Sequence, residues 1–195
     1  GRTAVDLVSK GIRPSSILTT DAFDNAIRIL LASGGSTNAI IHLIAIAGRA
    51  GITLDLDRFN ALSESTPVIV NLKPGGKYLM EDLFYAGGVE AVLKKMSGSL
   101  NLDCLTVTGQ NLGDNIADAE CHNDDVVLSI ESPLAPEGGL TILKGSLAPD
   151  GAVIKHIAAS PELMKHTGRA VVFENSIDLK QRIDDPDLDV TKDDI

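Results

Sequence analysis

The residue types most able to do chemistry are spread thinly along this chain, and one stretch gathers several of them. Gly34-Gly35-Ser36-Thr37-Asn38-Ala39 places two glycines before a hydroxyl, hydroxyl, amide run. Ser, Thr and Asn side chains accept hydrogen bonds from the free N–H groups of a first helical turn. A helix start also carries partial positive charge, so it can hold a carboxylate or phosphate. The plain alternative is a helix-to-helix turn with a cap, and caps outnumber anion sites. The spacing is not that of a phosphate loop, because no Lys follows the glycines at the required place. Ser36, Thr37 and Asn38 are therefore the candidate binding residues.

Other reactive side chains lack partners in sequence. His42 falls within an apolar helical segment and reads as a core or interface histidine. His122 adjoins Cys121, but two further ligands for a zinc site are missing. His156 and His166 have no neighbour suited to general-base chemistry. Cys104, in a Leu/Val run, reads as a small core residue. Asp185, Asp187 and Asp189 alternate like the opening of a calcium loop, yet Val190 stands where that loop needs Gly. They read instead as a solvated acidic turn around Pro186. Lys73 and Lys77 flank a Pro-Gly-Gly loop and could meet an anion, although such loops are usually just exposed. Glu81 and Asp82 sit at a helix start, where the dipole favours them.

The elements that must position these residues follow from periodicity. Apolar residues at Ile27, Leu30 and Leu31, and again at Ile40, Leu43, Ile44 and Ala47, mark helices over about 22–32 and 37–49. Thr20 or Asp21 can cap the first. Helices are also expected over 4–10, 55–63, 80–85, 89–96, 112–118 and 176–183. Short apolar runs at 67–71, 104–108, 126–130, 141–144, 153–157 and 170–173 are expected as strands. Turns are expected at 14–16, 134–139 and 147–152, the last two sharing a Leu-Ala-Pro wording. Helices alternate with buried strands in the first part, which argues for α/β layering. Closely spaced strands with Pro/Gly turns follow, which argues for the start of a barrel or sandwich. The polar stretch 120–125 separates the two, giving expected domains of 1–120 and 121–195.

Composition narrows the function. A net charge of −10 disfavours nucleic acid or an anionic membrane as partner, while leaving room for a locally positive pocket. With Trp absent and aromatics at 3%, the core must be aliphatic. Two cysteines make no disulfide framework, which fits a reducing, cytoplasmic setting. The longest apolar run is too short for a bilayer, and no signal-peptide pattern occurs. The chain opens without Met in what reads as mid-helix and closes on Asp-Asp-Ile without a cap, so a fragment is expected.

Four stretches together resemble the dihydroxyacid dehydratase / 6-phosphogluconate dehydratase family. They are Gly34–Ala39, Asn71–Asp82 (Asn-Leu-Lys-Pro-Gly-Gly-Lys-Tyr-Leu-Met-Glu-Asp), Asp103–Gly109, and Gly145–Ala152 (Gly-Ser-Leu-Ala-Pro-Asp-Gly-Ala). The wording of 160–189 is closer to the sugar-acid branch, such as arabinonate or xylonate dehydratases. The resemblance implies a hydro-lyase that converts a 2,3-dihydroxy acid to a 2-keto acid. It implies an iron–sulfur cluster acting as Lewis acid on the leaving 3-hydroxyl, a magnesium ion at the carboxylate end, and a serine that takes the C2 proton. It also implies an N-terminal α/β domain, a C-terminal β-barrel-like domain, a homo-oligomer and a cytoplasmic enzyme. The family's cluster cysteines and most magnesium ligands belong to segments expected before Gly1, and its catalytic serine to one expected after Ile195. No Cys-Asp-Lys triplet and no Thr-Asp-Gly-Arg serine motif occurs here. No catalytic or metal-binding residue is therefore carried over, and the isolated chain is expected to be inactive. The competing expectation is a non-catalytic anion-binding or interaction module on the same scaffold.

Overall fold

The computed structural model describes all 195 residues, which fall into two compact units, residues 1–158 and 159–195. The first unit is mainly helical. In chain order it holds α1 (Arg2–Ser9), α2 (Pro14–Ile17), α3 (Thr20–Ala32), α4 (Thr37–Arg49), α5 (Leu56–Ser63), α6 (Met80–Tyr85), α7 (Gly88–Lys95) and α8 (Leu112–Asn115). Strands β1 (Thr141–Gly145) and β2 (Ala148–Ile154) follow as an antiparallel pair, the only sheet. The chain is thus a mixed helical protein with one two-stranded antiparallel sheet.

Caps and apolar spacing explain the helix bounds. The cap of α3 is Thr19, whose hydroxyl accepts from the Ala22 N–H at 3.2 Å, one residue ahead of the two expected caps. Its backbone is extended at φ −104, ψ 164, whereas Thr20 and Asp21 already lie within the helix. Asp55 caps α5 by accepting from the Arg58 N–H at 2.9 Å. Asp82 accepts from the Leu79 N–H at 2.7 Å, which closes the start of α6. The Pro14-Ser15-Ser16 stretch forms the short helix α2, consistent with proline at a first helical position.

Two aliphatic clusters make the core of this unit. Ile27, Leu31, Ile40, Phe59, Leu62 and Leu140 pack α3, α4 and α5 against the approach to β1. Ile69, Val70, Leu83, Val92, Met96 and Val127 form the second, joining two extended segments to α6 and α7. Burial of such residues at about 25 cal/mol per Å² is the main stabilising term. One side of α4 faces the core through Ile40 and Ala47, while Ile41 and Ile46 are exposed. The amide of Asn60 on α5 pairs with the edge of β1, accepting from the Ile142 N–H at 2.9 Å and donating to the Ile142 carbonyl at 3.3 Å.

The expected strands divide by whether a partner is available. The runs 67–71 and 126–130 are buried at Val68, Ile69, Val70, Val126 and Val127, but are joined by a single isolated bridge, Val70 to Val127. The run 104–108 makes one antiparallel bridge, Leu105 to Asn111, and then turns, the Thr106 N–H donating to the Gln110 carbonyl at 2.9 Å. Residues 141–144 do form a strand. Their partner is 148–154, most of which was expected as a turn; the reversal occupies Ser146 and Leu147, with a register shift between Leu143 and Gly145. Gly151 within β2 has φ +114, a conformation that only glycine adopts without strain.

The second unit, 159–195, has no fully buried residue. It contains a short 3-10 turn at Pro161–Leu163 and the helix α9 (Ser176–Arg182), capped by Asn175. The expected strand at 170–173 is irregular, because its backbone meets only the chain end: the Val171 N–H donates to the Ile195 carbonyl at 2.8 Å. Arg169 ties the unit together. Its guanidinium donates to both carboxylate oxygens of Asp194, at 3.1 and 2.9 Å, and to Asp189 at 2.6 Å.

Candidate anion-binding site

The turn between α3 and α4 is built by backbone rules. Gly34 takes the left-handed conformation at φ +52 and donates its N–H to the Leu31 carbonyl at 3.1 Å. The Gly35 N–H donates to the Leu30 carbonyl at 2.9 Å. Together these bonds form a Schellman closure of α3. Ser36 then caps α4, its hydroxyl accepting from the Asn38 N–H at 3.2 Å. The N–H groups of Ser36 and Thr37 have no acceptor within the chain, so two donors remain at the head of α4.

This helix start borders a cavity of about 560 Å³. Gly34, Gly35, Ser36 and Thr37 line one part of it, and Ile29, Leu72, Met80, Leu83, Val89 and Val92 form an apolar wall. Two lysines, Lys73 and Lys155, line it as well. No carboxylate does, and neither lysine forms an ion pair within the chain. The result is a local excess of positive charge in a chain whose net charge is −10. Asn38, the third expected binding residue, is exposed on the first turn of α4 and is not among the lining residues.

The loop that presents Lys73 is rigidly bonded. Asn71 uses all its polar groups: its N–H donates to Val126 O at 2.9 Å and its side-chain nitrogen to Asp125 O at 3.1 Å. Its side-chain oxygen accepts from the Lys77 N–H and its carbonyl from the Tyr78 N–H, both at 2.9 Å. The Lys73–Pro74 peptide is cis. A β-carbon on Gly76 would lie 2.6 Å from the Asn71 carbonyl carbon and 2.7 Å from the Leu72 nitrogen, so this close turn needs glycine. Lys77 is not part of the cavity lining; its ammonium lies 5.4 Å from the centre of the Tyr78 ring.

The remaining reactive residues stay apart. His42 is exposed on α4 rather than a core residue, beside Ile46 and Arg49. The His122 ring is 4.0 Å from the Glu120 carboxylate, and both are exposed. His156 shares a 2.9 Å hydrogen bond with the Thr141 hydroxyl, and His166 lies 3.0 Å from the Asp193 carbonyl. Cys104 is half-buried and accepts from the Asn25 amide at 3.5 Å; burial, then the Asp21 charge, pushes its thiol pKa up. Such a thiol is a weak nucleophile at neutral pH. Cys121 packs against the core near Val127. Asp189 is exposed, as a solvated acidic turn requires, and also pairs with Arg169, whose hydrogen bond holds its pKa below the usual 3.8.

An iron–sulfur cluster needs three or four cysteine-type ligands and a magnesium site several carboxylate or carbonyl oxygens. This chain has two cysteines, with different neighbours, and no three His, Cys, Asp or Glu side chains converge as a metal-binding group. The residues of this chain by themselves do not fit either group.

Two lysines outside any ion pair thus border the head of α4 on a mixed helical scaffold. Residues 1–115 match the dihydroxy-acid/6-phosphogluconate dehydratase N-terminal family, and residues 125–195 match its C-terminal counterpart. The chain belongs to the dihydroxy-acid/6-phosphogluconate dehydratase family. It is 52% identical over 192 residues to an L-arabinonate dehydratase of Rhizobium leguminosarum bv. trifolii, covering 97% of this chain and 33% of that protein. It is 49% identical over 185 residues to a dihydroxy-acid dehydratase of Caldicellulosiruptor bescii, covering 94% and 34%. A 6-deoxy-6-sulfo-D-gluconate dehydratase of Pseudomonas putida is 47% identical over 196 residues, covering 99% and 34%. The chain thus spans about a third of the length of the curated relatives it matches. No helix is long and apolar enough to cross a membrane.

Proposed function

We propose that these residues are part of a hydro-lyase that dehydrates a 2,3-dihydroxy acid, an aldonic sugar acid or a branched dihydroxy acid, to a 2-keto acid. Within it, the cavity at the head of α4 holds the anionic end of the acid. The observation that carries the site is the meeting of Lys73 and Lys155 with the unpaired N–H groups of Ser36 and Thr37 around one cavity free of carboxylates. An acid placed there gains charge-assisted hydrogen bonds without displacing an internal ion pair. Family membership supports the reaction class. The names of the relatives support both sugar acids and dihydroxy acids as substrates.

In this reading the cluster and magnesium of the whole enzyme are held by residues other than these, and residues 1–195 alone are inactive. Iron and sulfide analysis with a dehydratase assay on this chain tests that point, with neither iron nor keto acid expected. Residues 1–120 belong to an α/β-layered domain and 121–195 to the beginning of a barrel-like one; the gap between the two family matches, 116–124, supports that division. The exposed apolar residues Ile41 and Ile46 on α4 support a homo-oligomer, and the two free cysteines support a reducing, cytoplasmic setting.

The cavity is tested in the full-length enzyme with Lys73→Ala and Lys155→Ala. Each is expected to raise KM for the acid by on the order of tenfold, the usual cost of losing a hydrogen bond to a charged group. Lys77→Ala, outside the cavity, is expected to leave KM unchanged. Equal KM values for all three variants and the wild type would remove the cavity from the site.

A further inference from the structure

Two loops that line the cavity, and the 138–140 segment that does not, each bring a glycine against one side chain, Ile157. A β-carbon on Gly75 would lie 3.0 and 3.1 Å from the two γ-carbons of Ile157 and 3.2 Å from its carbonyl oxygen. On Gly139 it would lie 3.1 Å from Ile157 Cγ2, and 2.9 Å from the Gly34 α-carbon. On Gly34 it would lie 3.6 Å from the same γ-carbon. Gly34 leads into Ser36 and Thr37. Gly75 belongs to the turn that presents Lys73. Ile157 itself follows Lys155 by two residues, in a turn fixed by the Ala158 N–H to Lys155 carbonyl bond at 3.1 Å. The neighbouring His156 anchors this turn to Thr141 on β1. Every polar group assigned to the cavity is therefore on a segment that meets Ile157 or carries it.

Ile157 is not part of either buried core cluster and is only half-buried. Its branched side chain takes the space that β-carbons on Gly75 and Gly139 would need and lies in contact range of Gly34, which separates its placement from general core packing. We propose that Ile157 is a positioning residue: it sets the distance between Lys73, Lys155 and the head of α4, and so the affinity for the acid. This rests on the reading of the cavity as the acid's anion site.

The test uses the full-length enzyme, with KM, kcat, thermal midpoint and competitive inhibition by inorganic sulfate as readouts. Ile157→Ala is expected to raise KM and the sulfate inhibition constant together, on the order of tenfold, with kcat retained, since misplaced binding groups cost affinity steeply. Ile157→Val keeps both γ-carbons that face the glycines and is expected to stay close to wild type. Gly75→Ala pushes the Lys73 loop away from Ile157 and is expected to reproduce the KM effect, so the idea stays testable even if Ile157→Ala fails to fold. If Lys73→Ala and Lys155→Ala raise KM while Ile157→Ala and Gly75→Ala do not, the positioning role is overturned and the anion site stands. A lower thermal midpoint with unchanged KM and sulfate inhibition would also overturn it, leaving Ile157 as packing alone. If the lysine variants leave KM unchanged, the anion site and the positioning role fall together.

Discussion

The two compact units are held by different physics. Residues 1–158 bury two aliphatic clusters, with Ile27, Leu31, Ile69, Met96 and Val127 fully excluded from solvent. Residues 159–195 bury no residue fully and depend on Arg169, Asp189, Asp194 and short backbone turns. Apolar burial is largely indifferent to pH and salt, whereas exposed ion pairs are screened and titrate. The first unit should therefore fail through packing defects, and the second through loss of charge.

The largest effect should come from Phe59→Ala. Its ring is 2% exposed, and deleting it leaves a cavity between α5, α3 and the start of β1. A loss of about 3–5 kcal/mol is expected in chemical denaturation. Next is Gly76→Ala, whose β-carbon meets the Asn71 side-chain oxygen and the backbone of Asn71 and Leu72. Overpacking of this kind costs roughly 1–3 kcal/mol, and the displaced Lys73 loop should also raise KM. Asn60→Ala follows: it leaves the buried Ile142 N–H without its acceptor, for about 1–3 kcal/mol.

Arg169→Ala should sharpen the contrast. It is expected to increase proteolysis and hydrogen exchange within 159–195, while the denaturation midpoint of 1–158 stays in place. Acid should imitate it. Hydrogen bonds from Arg169, then from the Thr191 N–H, hold the Asp194 carboxyl down to about 2 from 3.8. A depressed folded-state pKa contributes stability that is complete above 3.8 and lost as pH falls from there toward 2. Exchange in the second unit should rise across that window and remain flat above it. The smallest effect is expected for Lys144→Ala. The Lys144–Asp57 pair at 2.5 Å is exposed on both sides, and such pairs contribute about 0–1 kcal/mol.

Helices were legible in the sequence because a buried stripe repeats at helical spacing whatever the helix packs against. The run of α4 to Arg49 follows from it, with Ile40, Leu43, Ile44 and Ala47 on the core side. The cap of α3 was harder: Thr19, Thr20 and Asp21 can all accept a hydrogen bond, and the extended backbone at Thr19 decides among them. Strands were legible only in part, since a run of β-favouring residues needs a partner that the run does not encode. Residues 141–144 found one in a Pro- and Gly-containing stretch, while 104–108 makes a single bridge, Leu105 to Asn111, and 170–173 meets only the backbone of Ile195. At the site, Ser36, Thr37 and Lys73 could be nominated from local wording. Lys155 could not: nothing around it signals binding, and only the β1–β2 hairpin returns it to the cavity. Arg169 was missed for the same reason, its acidic partners lying some twenty residues downstream.

That return has a thermodynamic corollary. The cavity's cationic rim joins Lys73, near the middle of the first unit, to Lys155 at its end, so it does not exist in the unfolded chain. Any anion held between Lys73 and Lys155 must then act as mass-action ballast for the native state. At a hundred times its Kd it would raise the unfolding free energy by about 2.7 kcal/mol. An acid held at that rim would thereby protect the fold that binds it.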